Sequence, residues 1–202
     1  MTEDEAQAWI GSRFDEAACE RVARFVALVL SENTRQNLIA PATTPSIWVR
    51  HVVDSAQLIA LARSAWSSWL DIGTGGGFPG MVVALLCPRA ITMVEPRRKR
   101  AEFLEHCCDV LMLRHARVVH GRVEHLAGPY DVISARAVAS VEKILHAGLG
   151  CAKADTQWLL PRGRLGDDGE RYLGQLGSTM FHVEQSITDP SSSILVLRGD
   201  GR

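Results

Sequence analysis

The spacing of apolar residues changes once along this 202-residue chain, close to residue 66. Over 15–33 they recur at helical spacing, with Ala18, Val22, Phe25, Val26, Val29 and Leu30 on one face and Asp15 placed to cap the helix. A turn-rich stretch over 37–45 follows, then two shorter predicted helices over 46–53 and 55–62. Beyond residue 66, short apolar runs alternate with helical patterns. Strands are predicted over 69–72, 91–95, 117–120, 130–134 and 157–160, with helices over 81–87, 98–112 and 141–149. Two last strands, 180–184 and 194–197, are separated by little more than a DPSSS turn and pair as a hairpin. Strands alternating with helices imply a mostly parallel sheet covered on both faces. We therefore expect a single α/β domain over 1–202. Residues 1–66 would form a helical cover, and 67–202 a core of seven strands with an antiparallel C-terminal hairpin.

In such sheets ligands bind beyond the C-terminal strand ends, where strand order reverses. The segment after the first strand reads Asp71-Ile-Gly73-Thr-Gly75-Gly-Gly77-Phe-Pro-Gly80. Glycines suit that place because the turn is tight and a ligand approaches the backbone closely. The helix that follows offers free N–H groups and the positive end of its dipole. Two ligands fit. Gly75-Gly-Gly77-Phe-Pro-Gly80 matches the GxGxxG of dinucleotide sites, with Glu95 at about the distance of the acid expected there. Read from Asp71, the same segment is D-x-G-x-G-x-G, which resembles the first motif of the Rossmann-like class I S-adenosylmethionine methyltransferases. A dehydrogenase would also need a substrate domain, for which little chain remains. Glu95 ends the second strand, where a carboxylate accepts hydrogen bonds from the ribose hydroxyls of any adenosine cofactor; its bland alternative is a surface acid before Pro96.

Composition narrows the class. With 22 basic and 23 acidic residues the net charge is −1, so bulk charge gives no support for nucleic-acid binding. An RNA substrate would need a local basic rim. Arg97-Arg98-Lys99-Arg100 is the one dense run, and Arg122, Arg136, Arg162 and Arg164 recur further on. The five cysteines lack a CxxC pair and the seven histidines lack an HExxH grouping, so neither a disulfide framework nor a metal site is expected. No apolar run approaches the roughly 20 residues that cross a bilayer. The acidic start MTEDEAQAW lacks the order of a secretory signal, and we expect a cytoplasmic monomer without membrane contact.

The acceptor atom is approached by elimination. The segment after the fourth strand, Tyr130-Asp-Val-Ile-Ser-Ala-Arg136, lacks the N/D-P-P-Y/F element of exocyclic-amine methyltransferases. No Pro-Cys pair suits attack on a pyrimidine carbon, and no lysine–acid tetrad of the ribose type is evident. Guanine N7 has a free lone pair and no proton to lose, so it needs positioning more than a base.

The order of segments resembles one family throughout. Asn37-Leu38, Arg50-His51-x-x-Asp54-Ser55, Leu70 through Gly80, Lys99-Arg100-x-x-Phe103-Leu104, Gly121-Arg122-Val-Glu124, Ile133-Ser-Ala-Arg136-Ala and Leu160-Pro-Arg162-Gly163 follow the order of the RsmG family. Its members, also called glucose-inhibited division protein B or GidB, are bacterial guanine-N7 methyltransferases of 16S ribosomal RNA in the small subunit. The Gly-Phe-Pro-Gly ending and the RHxxDS segment discriminate best. The resemblance implies S-adenosylmethionine as cofactor, with contacts at Gly73, Phe78, Val123, Glu124 and Arg136, to which the loop adds Asp71, Gly75, Gly77 and Glu95. Arg136, Arg50 and His51 are the candidate catalytic residues, and Arg97, Arg98, Lys99, Arg100 and Arg162 the candidate RNA contacts. Each has a structural alternative: Phe78 as core, Glu124 as surface, Arg136 as a salt-bridge partner. Arg50 and Asp54 stand one helical turn apart, with two readings open: a helix-stabilising ion pair, or a helix that walls the active-site cleft and places Arg50 or His51 near RNA. Arg162-Gly163 stands where a lysine–glycine pair is expected, which keeps the charge and changes the geometry. Two readings outside this family stay open on the residues alone, a small-molecule methyltransferase and a cofactor-binding regulatory module.

Overall fold

The structure, a computed structural model, describes residues 1–136, 140–163 and 180–198; Arg164 lies outside them. The chain opens with a helix that the apolar pattern does not predict, α1 (Glu3–Gly11). Its signal is a capping box. The Thr2 hydroxyl accepts the Glu5 N–H at 3.2 Å, and the Glu5 carboxylate accepts the Thr2 N–H at 2.7 Å. The long helix, α2 (Glu16–Gln36), is capped by Asp15 and buries the predicted face, Ala18, Val22, Phe25, Val26 and Val29.

A 3-10 turn (Pro41–Ser46) leads into a single turn of π-helix (Trp48–Val53), which passes without a break into α3 (Asp54–Leu61). The Glu3 carboxylate accepts the N–H groups of Trp48 and Val49, at 3.0 and 2.9 Å, and so ties the start of the π turn to α1. A π turn inserted in a helix rotates the side chains beyond it and often marks a functional site. Arg50 and Asp54 are not paired with each other here. Both residues are drawn instead to partners far along the chain.

The α/β part follows as β1 (Ser68–Ile72), α4 (Gly80–Leu86), β2 (Ala90–Glu95), α5 (Arg98–Val110), β3 (Ala116–His120), β4 (Val132–Ala135), α6 (Val141–Gly148), β5 (Gln157–Arg162), β6 (Met180–Gln185) and β7 (Ser193–Arg198). The seven strands form one sheet in the order β3-β2-β1-β4-β5-β7-β6. β1 to β5 are parallel, while β7 runs antiparallel to both β5 and β6, as predicted for the terminal hairpin. Strand order reverses between β1 and β4, so residues at the C-terminal ends of those strands face the natural ligand crevice.

Helix α2 packs on α4 and α5, and α1 on the π turn. Phe25, Val22, Ile10, Met81, Leu104 and Met93 share one apolar cluster on that side, and Ile133, Ile144, Trp158 and Leu195 belong to a second. No helix among the described residues is long and apolar enough to cross a membrane.

Candidate active site

The glycine loop joins β1 to α4 and is fastened from below by Asp71. This aspartate is fully buried, accepts the Gly80 N–H at 2.9 Å and accepts the Ser134 hydroxyl at 2.7 Å. Burial pushes its carboxyl up to about 6, against the opposing effect of those hydrogen bonds. Asp71 therefore braces the loop and does not face the crevice. The side of the loop away from Asp71 is open at Gly75, where an added Cβ would meet nothing nearer than 3.7 Å. Gly77 points the other way, into the contact between Phe25 and Met81.

Glu95 closes the loop from β2. It is 3 % exposed, and its two oxygens accept the N–H groups of Gly75 and Arg97, at 2.9 and 2.8 Å. A carboxylate offers about four lone-pair sites, so these bonds leave capacity for a ribose hydroxyl. Replacing Glu95 with alanine strands both N–H groups. Loss of one charge-assisted pair is worth about 1.5–3 kcal/mol, so calorimetry should show donor affinity falling roughly tenfold or more. Unaltered affinity would remove Glu95 from the site.

Next to the loop lies a cleft of about 1160 Å³, running from the ends of β1 and β2 along α6 to Trp158. Gly73, Val94, Pro96, Val123 and Glu124 form one wall. Val123 is buried, whereas Glu124 is exposed at the rim and paired with Arg122 at 3.0 Å, which holds its carboxyl below the usual range.

A second group of candidates gathers around Arg136, directly after β4. One terminal nitrogen of its guanidinium donates to His51 Nδ1 at 2.9 Å, and the other donates to the Arg50 carbonyl at 3.2 Å and faces Asp54 Oδ2 at 3.8 Å. Phe78 lies beneath, 5.5 Å from the guanidinium carbon, with its ring 5.0 Å from His51 and 5.4 Å from Phe25. Phe78 thus joins the helical cover to the site. Arg50 itself points outward and pairs with Asp189 at 2.5 Å.

His51 is buried, and its Nε2 lies 2.8 Å from the Thr43 hydroxyl. With Arg136 donating to Nδ1, the ring must carry its proton on Nε2 and be neutral. Burial first, then the charges of Arg136 and Arg50, push its pKa down to about 3. Between that value and 6.5 the unfolded chain binds a proton that the folded chain refuses, so this histidine's contribution to stability is present above 6.5 and lost as pH falls. A His51→Asn variant should therefore gain on the wild type by up to about 1.4 kcal/mol per pH unit below about 6.5, read from urea midpoints. Parallel pH profiles would show that His51 is not held neutral.

The basic run divides. Arg97, Arg98 and Lys99 are exposed, with Arg98 paired to Glu102, but Arg100 turns inward and donates to the Asn37 carbonyl at 2.9 Å. Arg162 is half-buried at the end of β5, where burial lowers its pKa. Among the described residues no group of histidine, cysteine, aspartate or glutamate is arranged to hold a metal ion.

The family described as rRNA small subunit methyltransferase G matches residues 18–192. The chain belongs to that family. A ribosomal RNA small subunit methyltransferase G from Novosphingobium aromaticivorans is 47% identical over 204 residues, covering 98% of this chain and 89% of the relative. One from Sphingopyxis alaskensis is 41% identical over 201 residues, with 98% and 85% covered. Among solved structures, an O-methyltransferase from Bacillus cereus in complex with SAH superposes with a TM-score of 0.60 at 14% identity, over 87% of this chain and 90% of that one. A methyltransferase from Geobacter sulfurreducens does so with a TM-score of 0.60 at 13% identity, over 96% and 94%. These two show the Rossmann-like methyltransferase fold. The family fixes the cofactor class as S-adenosylmethionine, and the site suits it: an open face at Gly75, a cleft with apolar Val94 and Val123, and carboxylates at Glu95 and Glu124.

Proposed function

We propose that the chain transfers a methyl group from S-adenosylmethionine to N7 of a guanine in 16S ribosomal RNA of the small subunit. Membership of the rRNA small subunit methyltransferase G family supports the reaction and the RNA. The state of His51 supports the acceptor atom. The imidazole that meets Arg136 has both ring nitrogens engaged, with Arg136 and with Thr43, so it does not serve as a base. N7 presents a lone pair and needs no base, only alignment with the donor.

The bound cofactor supplies an electrophilic methyl group on a sulfonium. Gly73 and Gly75 would hold the part of it that lies over the loop, Glu95 its ribose hydroxyls, and Val123 and Glu124 its adenine ring; Gly73, Val123 and Glu124 line the cleft, and Glu95 holds the Gly75 N–H beside it. Asp71 and Gly77 act on the loop from behind it. Arg136 presents a fixed cation at the end of β4, where a guanidinium can hydrogen-bond the O6 edge of a guanine. Arg97, Arg98 and Lys99 form an exposed basic rim for phosphates, with Arg100 bracing them through Asn37. With a net charge of −1, bulk attraction for RNA is weak, which favours a substrate presented on a ribosomal particle. A cytoplasmic monomer is part of the same proposal.

Label from radioactive S-adenosylmethionine should pass to small ribosomal subunits from cells lacking the modification. Transfer to small-molecule extracts with none to RNA would instead favour a small-molecule enzyme. Donor binding with no turnover on either would favour a regulatory module.

A further inference from the structure

Asp54 of the RHxxDS segment has no task in this scheme. Asp54 sits where the π turn passes into α3, and its two oxygens serve different partners. Oδ2 faces Arg136, the one ion pair described for that guanidinium. Oδ1 accepts from Gln57 Nε2 at 2.9 Å and from the Thr188 hydroxyl at 3.0 Å, with the Ser186 hydroxyl at 3.3 Å. Ser186 and Thr188 lie in the turn between β6 and β7, more than 130 residues away in sequence.

That turn is fastened to the same helix at two further points. Gln57 is buried and accepts the Ile187 N–H at 3.1 Å. Arg50 pairs with Asp189, whose carboxylate also accepts the Ser191 N–H at 2.8 Å and so stiffens the turn. A hydroxyl-rich turn is thus spent on holding one carboxylate, and that carboxylate faces Arg136. The contacts of His51 and the Arg50 carbonyl with Arg136 set its direction but bring no negative charge; buried Asp71 attracts the guanidinium from farther off, so Asp54 is the carboxylate that meets it in a described ion pair.

We propose that Asp54 is a positioning residue for methyl transfer: held by Gln57 and the 186–189 turn, it fixes the guanidinium of Arg136. The role rests on the reading of Arg136 as a group at the methyl-transfer position. It gives the C-terminal hairpin a part in catalysis without contact with the substrate. A mostly dry carboxylate that keeps its neighbours' hydroxyls pointed at it exerts a fixed field with little reorganisation.

Asp54→Asn removes the charge and keeps the shape. In the full chain, kcat for subunit methylation should fall about tenfold or more, with KM for subunits and affinity for donor changed less than about threefold. The loss should be absent when Asp54→Asn is introduced together with Arg136→Ala, because the two act in series. Asp54→Glu should restore part of it, and the double variant Ser186→Ala, Thr188→Val, which leaves Asp54 and Arg136 intact, should show a smaller loss of kcat alone. Nitrogen-15 spectra of the His51 ring give a readout independent of turnover. The wild type should show the Nε2–H tautomer, and the Asp54→Asn variant a shifted Nδ1 resonance as Arg136 moves. An unmoved His51 signal would overturn the role. A kcat loss that persists in full in the Arg136→Ala background would do the same. If the wild type methylates no RNA, the assigned reaction fails and the His51 spectra decide the positioning role by themselves. If Asp54→Asn does not fold, the hairpin double variant carries the same measurements.

Discussion

Replacing Gly77 with alanine is expected to remove a large part of the protein's stability. Its φ of +98° lies in the region that L side chains avoid, at a cost of about 1–3 kcal/mol. A Cβ there would also stand 2.7 Å from Phe25 Cζ, 3.0 Å from Met81 Cβ and 3.1 Å from Leu104 Cδ2. These belong to buried residues of α2, α4 and α5, so relief requires shifting packed side chains where those three helices meet. Overpacking of this kind adds about 1–3 kcal/mol, against a total of about 5–15 kcal/mol for a domain. Gly75→Ala makes the contrast. Its φ is +60° but the space above it is open, so it should retain most of the stability and lose donor affinity. Urea midpoints together with calorimetry separate the two. Equal stability losses at both positions would mean that Gly77 is not wedged between the layers.

The largest effect on turnover is expected at Arg136. Arg136→Ala withdraws the donor from His51 Nδ1, frees the Arg50 carbonyl and leaves Asp54 without its ion pair. Misplacing a reactant by about 1 Å can cost about 100-fold, and methylation of subunits should fall at least by that factor. Arg136→Lys keeps the charge but not the two-pronged geometry that reaches His51 and Arg50 together, so it should recover little of the rate. Near-normal turnover by either variant would take Arg136 out of the transfer site. Loss of fold is distinguished by circular dichroism and by retained donor binding.

How much of the structure is legible in the sequence depends on the distance between partners. Helix α2 is legible because its period repeats over many turns and Asp15 caps it. The strands are legible because short apolar runs alternate with glycine turns, and the hairpin follows from the brief break before Ile194. Helix α1 escapes the apolar pattern because only Ala6 and Ile10 of its residues are buried; the Thr2–Glu5 capping box is the available signal. The π turn at Trp48–Val53 leaves no mark in that pattern, nor do the pairings of Arg50 with Asp189 and of Asp54 with Arg136.

The candidate site is legible where its residues are contiguous. The loop from Asp71 to Gly80 stands where the motif implies, although Asp71 and Gly77 support it from behind. Partners contributed by distant segments are not legible: the contact of His51 with Arg136, the strut from Arg100 to Asn37, and the hold of the 186–189 turn on Asp54. Spacing along a chain cannot announce a hydrogen bond closed by topology.

Guanine N7 as the acceptor is open to a direct chemical test. Small subunits from cells lacking the modification would be incubated with the protein and labelled S-adenosylmethionine, and their RNA then reduced and treated with aniline, which cleaves at 7-methylguanine. Transfer to N7 gives labelled 16S RNA with one new, discrete cleavage. Labelled RNA that aniline leaves intact would rule N7 out.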